Sequence, residues 1–193
     1  MRPYDPLDYE NLARSVVEAL LSGPENQMPL ADVFEGSGVY AIYYRGSFDG
    51  YAPLVTRSPV PPIYVGKAVP TGARKGQASS SPGQELFRRL KEHSASIQQA
   101  TNLELDDFKC RYLVVVPIWI TLAERFLLEH YQPVWNVVVD GFGNHDPGKG
   151  RRGTKRPQWD ILHPGRSWAD NLTTQQSSEE ILEKLNDFLR REL

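Results

Sequence analysis

Gly38-Val39-Tyr40-Ala41-Ile42-Tyr43-Tyr44, followed after a spacer by Ile63-Tyr64-Val65-Gly66-Lys67, is the stretch on which the reading of the whole chain turns. Both ends are rich in β-branched and aromatic residues, the composition of strands. The spacer, residues 45–62, holds Gly46, Gly50, Pro53, Pro59, Pro61 and Pro62 and reads as turn or loop. The pattern predicts two antiparallel strands joined by a long connection. Each strand carries a tyrosine close to a glycine, and a glycine there leaves room for another backbone or a ligand. Taken alone, the tyrosines are also what a plain hairpin uses to fill a core.

Upstream, Asp5-Pro6 reads as an N-cap followed by a first-turn proline. Leu12, Val16, Val17, Leu20 and Leu21 repeat at helical spacing until Gly23-Pro24 stops the helix. Residues 24–37 read mostly as connection. Downstream, residues 70–83 are polar and glycine- and serine-rich, with Arg74 and Lys75. They form a solvated loop or a loop that orders on a phosphate backbone. A helix over residues 84–99 carries Leu86 and Leu90 on one line and Arg89 and His93 on another, four apart and hence neighbours.

Residues 108–116 read as a central strand buried on both faces, because Tyr112 to Val116 are almost all apolar. A helix over 118–131 places Ile120, Ala123, Leu127 and Leu128 at core spacing. Glu124 falls among them, where a carboxylate is costly unless it is paired or bound to a metal. Pro133 ends that helix, and Val134-Trp135-Asn136 turns back towards the sheet.

The chain has 193 residues, 40% of them apolar, which suits one domain with decorations and excludes a disordered chain. A formal net charge of -2 means that any nucleic-acid surface must gather its positive charge locally. That charge is densest after Gly141, where Lys149, Arg151, Arg152, Lys155 and Arg156 alternate with glycines. The segment reads as a disordered basic loop or as one that follows phosphates and reaches guanine edges. Ser177 and Glu180 form a capping-box pattern before a last helix carrying Ile181, Leu182, Leu185 and Leu189. The single cysteine, Cys110, rules out an intrachain disulfide and a thiolate metal cluster and fits a reducing cytoplasm; it reads as a small core residue. No signal peptide is evident at the N-terminus. The longest uncharged apolar run, residues 112–123, falls short of the roughly 20 residues a membrane span needs.

In chain order, Gly38-Val39-Tyr40, Tyr64-Val65-Gly66, Arg89, His93, Glu124 and Asn136 resemble the motifs of the GIY-YIG nuclease superfamily, with valine for isoleucine in each short motif. The two short motifs are weak signals; the ordered set is a fairly specific one. Within the superfamily the chain is most similar to type II restriction endonucleases, some of which cut CCGCGG. The resemblance implies an α+β fold, a small mixed and largely antiparallel sheet flanked by helices. It implies one nuclease domain over residues 1–193, with a core at about 36–140. Residues 1–35 are then an N-terminal helical extension, and residues 141–193 a basic loop and C-terminal helix. It further implies Mg²⁺-dependent cleavage of double-stranded DNA at a short GC-rich palindrome. A palindrome implies a symmetric homodimer, and a restriction enzyme implies a companion DNA methyltransferase.

Cutting a phosphodiester requires an activated water, charge neutralisation at phosphorus and help for the leaving oxygen. One divalent cation supplies the second and part of the third. The ligands on offer are oxygens, so Mg²⁺ or Mn²⁺ is the natural metal and Glu124 the candidate ligand. Glu104, Asp106 and Asp107 cluster, but in what reads as a solvated loop, so one metal is preferred to two. Tyr40 is the candidate base or water-orienting group, with Lys67 as the partner that lowers its pKa or takes the proton through it. Tyr64 positions water or phosphate, and Arg89 stabilises charge on phosphorus with its fork of donors. His93 polarises the water or protonates the leaving group. Asn136 fastens the site by hydrogen bonds to substrate or to neighbouring backbone. Tyr40, Lys67 and His93 all stand as candidates for the general base. Arg74, Lys75, Lys149, Arg151, Arg152, Lys155 and Arg156 are the candidate DNA contacts. The rival readings are a structure-selective repair or homing-type nuclease of the same superfamily, a non-catalytic DNA-binding protein, and a structural α/β protein.

Overall fold

A computed structural model describes residues 5–70, 72, 83–146 and 155–192. The two motif strands are β2 (Gly38–Tyr44) and β3 (Tyr64–Ala68), paired antiparallel with Tyr40 opposite Gly66. β2 also pairs antiparallel with β4 (Phe108–Val114), and β4 with the two-residue β1 (Asn26–Gln27). The sheet order is β1-β4-β2-β3, so β3 lies at an edge.

The strand buried throughout is β2, not β4. Every residue of β2 is buried, whereas Val114 and Val116 are 54% and 65% exposed. β1 spans only Lys109 and Cys110 of β4. The apolar end of β4 therefore has a strand neighbour on one side alone among the described residues, and its hydrophobic run was a poor guide to burial. Strand alternation sends Tyr40, Ile42 and Tyr44 to one face and Val39, Ala41 and Tyr43 to the other. The first face is covered by α3 (Glu85–Gln99), α5 (Val134–Val137), α6 (Gln158–Leu162) and α7 (Ser178–Glu192), through Leu86, Leu90, Trp135, Trp159, Ile181 and Leu185. The second is covered by α1 (Tyr9–Ser22) and α4 (Ile120–Tyr131), through Val17, Leu20, Ile120, Ala123 and Leu127. The result is helix, sheet, helix in three layers.

Helix boundaries follow local chemistry. α1 is capped by Asp8, which accepts from Glu10 N at 3.3 Å, and not by Asp5. Asp5 accepts from Leu7 N at 2.9 Å in the preceding turn. α4 begins after a 3₁₀ turn at Pro117–Trp119. α7 opens with the expected capping box, Glu180 N donating to Ser177 Oγ at 3.2 Å and Ser177 N to Glu180 Oε2 at 3.1 Å. The spacer between the motif strands is not all loop. A 3₁₀ turn at Asp49–Tyr51 runs into α2 (Ala52–Val55), which buries Tyr51 and Leu54.

Tyr51 anchors a closed polar network inside the first core. Asn102 Nδ2 donates to Leu162 O at 3.0 Å, which fixes Asn102 Oδ1 as the acceptor 3.0 Å from His163 Nδ1. His163 Nε2 then accepts from the Tyr51 hydroxyl at 2.6 Å, and that hydroxyl accepts from Trp135 Nε1 at 2.7 Å. Cys110 is buried, and no helix among the described residues is long and apolar enough to cross a membrane.

Candidate active site

The two motif tyrosines meet on the α3 face of the sheet. With Tyr40 opposite Gly66, the Tyr40 ring fills the space a side chain at 66 would take; a Cβ there would lie 2.6 Å from Tyr40 Cζ. The glycine of the second motif is thus a packing requirement for the tyrosine of the first. Tyr64 projects to the same face, its ring centroid 6.2 Å from that of Tyr40. α3 anchors itself through Leu86, Leu90 and Ile97, which brings His93, one turn after Arg89, onto both rings. The Tyr40 hydroxyl lies 2.6 Å from His93 Nε2, and the His93 and Tyr64 ring centroids are 5.2 Å apart.

Phe142 closes this group from the loop after α5. It stacks on His93 at 4.6 Å with 18° between the planes, and meets Tyr64 edge-on at 4.9 Å. His93 is buried. Burial, reinforced by the charges of Arg89, His145 and Arg166, holds its pKa well below the usual histidine value, so the ring is neutral at neutral pH. Burial also drives the Tyr40 phenol well above 10, with Tyr64 adding and Arg89 opposing. Tyr64 is raised for the same leading reason. Both tyrosines are therefore phenols, not phenolates, in the free protein.

Arg89 roofs the pair and is 22% exposed. Its NH1 donates to Glu92 Oε2 at 3.0 Å and touches His145 Nε2, and its NH2 donates to Gly143 O at 2.9 Å. A Cβ on Gly143 would come within 2.7 Å of the Tyr64 hydroxyl and 3.3 Å of Arg89 NH2. The bare glycine lets both groups approach the loop.

Lys67 lies one residue past Gly66, so alternation turns it to the opposite, α4 face. There its Nζ is 2.7 Å from Glu124 Oε2 and 3.4 Å from Thr121 Oγ1. The expected partnership of Lys67 with Tyr40 is thus replaced by two others, Lys67 with Glu124 and Tyr40 with His93. Because β3 is the edge strand, residues from both faces border one rim, and the Glu124 charge acts on both Tyr40 and Tyr64. At the same edge, Asn136 of α5 takes the place of a strand neighbour. Val65 N donates to Asn136 Oδ1 at 2.8 Å, and Asn136 Nδ2 donates to Val65 O at 2.9 Å. Of the two uses open to Asn136, its amide makes the bond to neighbouring backbone.

No three histidines, cysteines or acids cluster as a metal cage among the described residues. A cation held wholly by protein does not fit. Glu124 fits a hard cation that takes one protein oxygen and completes its shell with water and phosphate. Its carboxylate sits partly exposed at the rim, and Lys67 is its one ion-pair partner among the described residues. Asp106 and Asp107 lie in a turn at the far end of the sheet, where Phe108 pairs with Tyr44.

Of the candidate DNA contacts, Arg74, Lys75, Lys149, Arg151 and Arg152 fall outside the described residues. Lys155 and Arg156 line a polar cavity of about 470 Å³ with Asn144, Gln158 and Gln176, beside the loop that carries Gly143. Arg156 NH2 also donates to Asp170 Oδ1 at 2.9 Å. The sequence reading missed Phe142, Gly143 and His145, which lie in a glycine-rich stretch with no periodicity to place them. It also missed Thr121, which alternation on β3 and the helical spacing before Glu124 were enough to suggest.

An antiparallel sheet with two tyrosines packed at its edge, an arginine–histidine helix above and a glutamate helix below, is a nuclease core of the GIY-YIG kind. The model of the family described as the Eco29kI GIY-YIG domain matches residues 32–189. The chain belongs to this restriction endonuclease family. A comparison with curated proteins finds no match.

Proposed function

We propose that the protein is a type II restriction endonuclease that cuts double-stranded DNA at a short GC-rich palindrome such as CCGCGG. It would act as a homodimer with one divalent cation per active site. The observation that carries this reading is the buried Tyr40–His93 pair, roofed by Arg89 and separated only by edge strand β3 from the Lys67–Glu124 pair.

Glu124 holds Mg²⁺ or Mn²⁺, which when bound supplies Lewis-acid stabilisation of charge on the phosphoryl oxygens. The remaining roles belong to side chains. Arg89 pairs with the scissile phosphate and steadies the charge that grows on its oxygens. Tyr64 orients the attacking water. As the water oxygen bonds to phosphorus, its proton passes to the Tyr40 oxygen, and the Tyr40 proton passes to His93 Nε2. Tyr40 never becomes a phenolate, which its burial opposes. The phosphorus–oxygen bond to the leaving sugar breaks, and that oxygen takes a proton from solvent. Burial is the chief cause of the low His93 pKa; the incoming phosphate offsets only the added depression from Arg89, His145 and Arg166. Lys67 fixes the Glu124 carboxylate, and Asn136 fixes the edge of β3.

The test is incubation with unmethylated phage DNA in Mg²⁺ and in EDTA, beside Glu124→Gln. Discrete metal-dependent fragments, absent for the variant, are expected, and their ends give the site. Tight DNA binding without cleavage in Mg²⁺ or Mn²⁺ would move the protein to the class of non-catalytic DNA-binding proteins. Expression in a host is expected to require a DNA methyltransferase of the same specificity.

A further inference from the structure

We propose that Arg166, which is remote from the motif residues in sequence, is a positioning residue for cleavage: it grips the loop of residues 141–145 that sets His93 and Arg89. The proposal rests on the nuclease reading of the site. The Arg166 side chain is 1% exposed. Its Nε and NH2 donate to the two oxygens of Asp160, each at 2.6 Å. NH2 also donates to Gly141 O at 3.0 Å, and NH1 donates to Phe142 O at 3.0 Å and Asn144 O at 3.1 Å. These five bonds use every N–H of a guanidinium. Trp159 and Trp168 lie against its plane, with ring centroids 4.5 and 4.8 Å from Cζ.

Four successive carbonyls are thereby shared between two arginines. Those of residues 141, 142 and 144 go to Arg166, and that of 143 goes to Arg89. The loop so held carries Phe142, stacked on His93, and His145, in contact with Arg89. A buried ion pair adds little net stability over an apolar substitute. What this one adds is orientation, because a planar fork aims three donors at fixed carbonyls where a lysine ammonium cannot.

The test compares wild type, Arg166→Lys, Arg89→Lys and the double variant on a duplex carrying the mapped site, with folding followed by circular dichroism. Arg166→Lys is expected to stay folded and to bind the duplex within about threefold of wild type, while single-turnover kcat falls about 10- to 100-fold. Combined with Arg89→Lys, its loss is smaller than the product of the two single losses, because part of it acts through Arg89. In DNA-free protein its His93 ring ¹⁵N resonances move. Wild-type kcat in folded Arg166→Lys overturns the proposal, as does a loss that multiplies with that of Arg89→Lys, the mark of general weakening. Should Arg166→Lys not fold, Trp168→Leu carries the same test, with a roughly threefold loss of kcat expected, and an unchanged kcat overturns it. If the wild type cuts no DNA, the nuclease reading fails on its own. The His93 resonances then still decide whether Arg166 sets that ring: unmoved resonances overturn the proposal.

Discussion

The molecule contains the same pair twice. Tyr40 with His93 and Tyr51 with His163 are both buried, and each hydroxyl lies 2.6 Å from an imidazole Nε2. Burial lowers both histidine pKa values, that of His163 to about 3. They differ in where their hydrogen bonds lead. From Tyr51 and His163 the chain closes on Trp135, Asn102 and Leu162, each group satisfied by a neutral partner. From Tyr40 and His93 it opens towards Tyr64, the part-exposed Arg89 and a rim holding Lys67 and Glu124. The Tyr51–His163 chain ends on core groups, whereas the Tyr40–His93 pair borders a part-exposed arginine. Identical side-chain chemistry thus serves as a core fastener in one place and as a candidate proton relay in the other.

The comparison can be broken most sharply at the rim. Glu124→Gln keeps the shape of the carboxylate and removes its charge. It is expected to lower cleavage by roughly a thousandfold, several kcal/mol of transition-state stabilisation, with the thermal midpoint little changed. Cleavage assays beside thermal melts check this, and an active Glu124→Gln protein would remove the reason for treating the rim as special.

The closed pair responds in stability instead. Tyr51→Phe orphans Trp135 Nε1–H and His163 Nε2 in the interior. Each orphan costs about 1–3 kcal/mol, to be read from urea unfolding at neutral pH. Acid sharpens the contrast. The folded-state pKa of His163 lies below its ordinary 6.5, so the unfolded chain binds the proton more readily. Its contribution to stability is therefore full above about pH 6.5 and is lost as pH falls towards 3. Below about pH 6, His163→Gln is expected to lose up to about 1.4 kcal/mol less per pH unit than wild type. Equal slopes for the two proteins would mean that His163 is not buried neutral.

The smallest effect belongs to the basic segment, whose sequence includes no member of either pair. Neutralising Arg151 and Arg152 together is expected to weaken DNA binding at matched salt and to flatten the plot of log affinity against log salt by about one unit per charge, without moving the thermal midpoint. Unchanged affinity would exclude those residues from the interface.

Much of this was legible in the sequence. Strand composition and glycine placement gave the antiparallel β2–β3 pair, and the ordered tyrosine, arginine, histidine, glutamate and asparagine set gave the family. Other parts depended on the third dimension. Tyr112 to Val116 looked like a buried central strand, but burial depends on which strands lie alongside, and β1 spans only two residues of β4. Lys67 looked like a partner for Tyr40 because it is near in sequence, yet strand alternation turns it to Glu124. Phe142, His145 and Arg166 act through ring stacking, a contact with Arg89 and backbone carbonyls, which leave no spacing pattern to read.

The most direct test of the contrast between the pairs is the single-turnover cleavage rate of Tyr40→Phe and Tyr51→Phe, each measured on folded protein with saturating DNA and Mg²⁺. The relay account predicts a loss of at least about a hundredfold for Tyr40→Phe and a wild-type rate for Tyr51→Phe. Equal rates for the two variants, whether both lost or both retained, would contradict it.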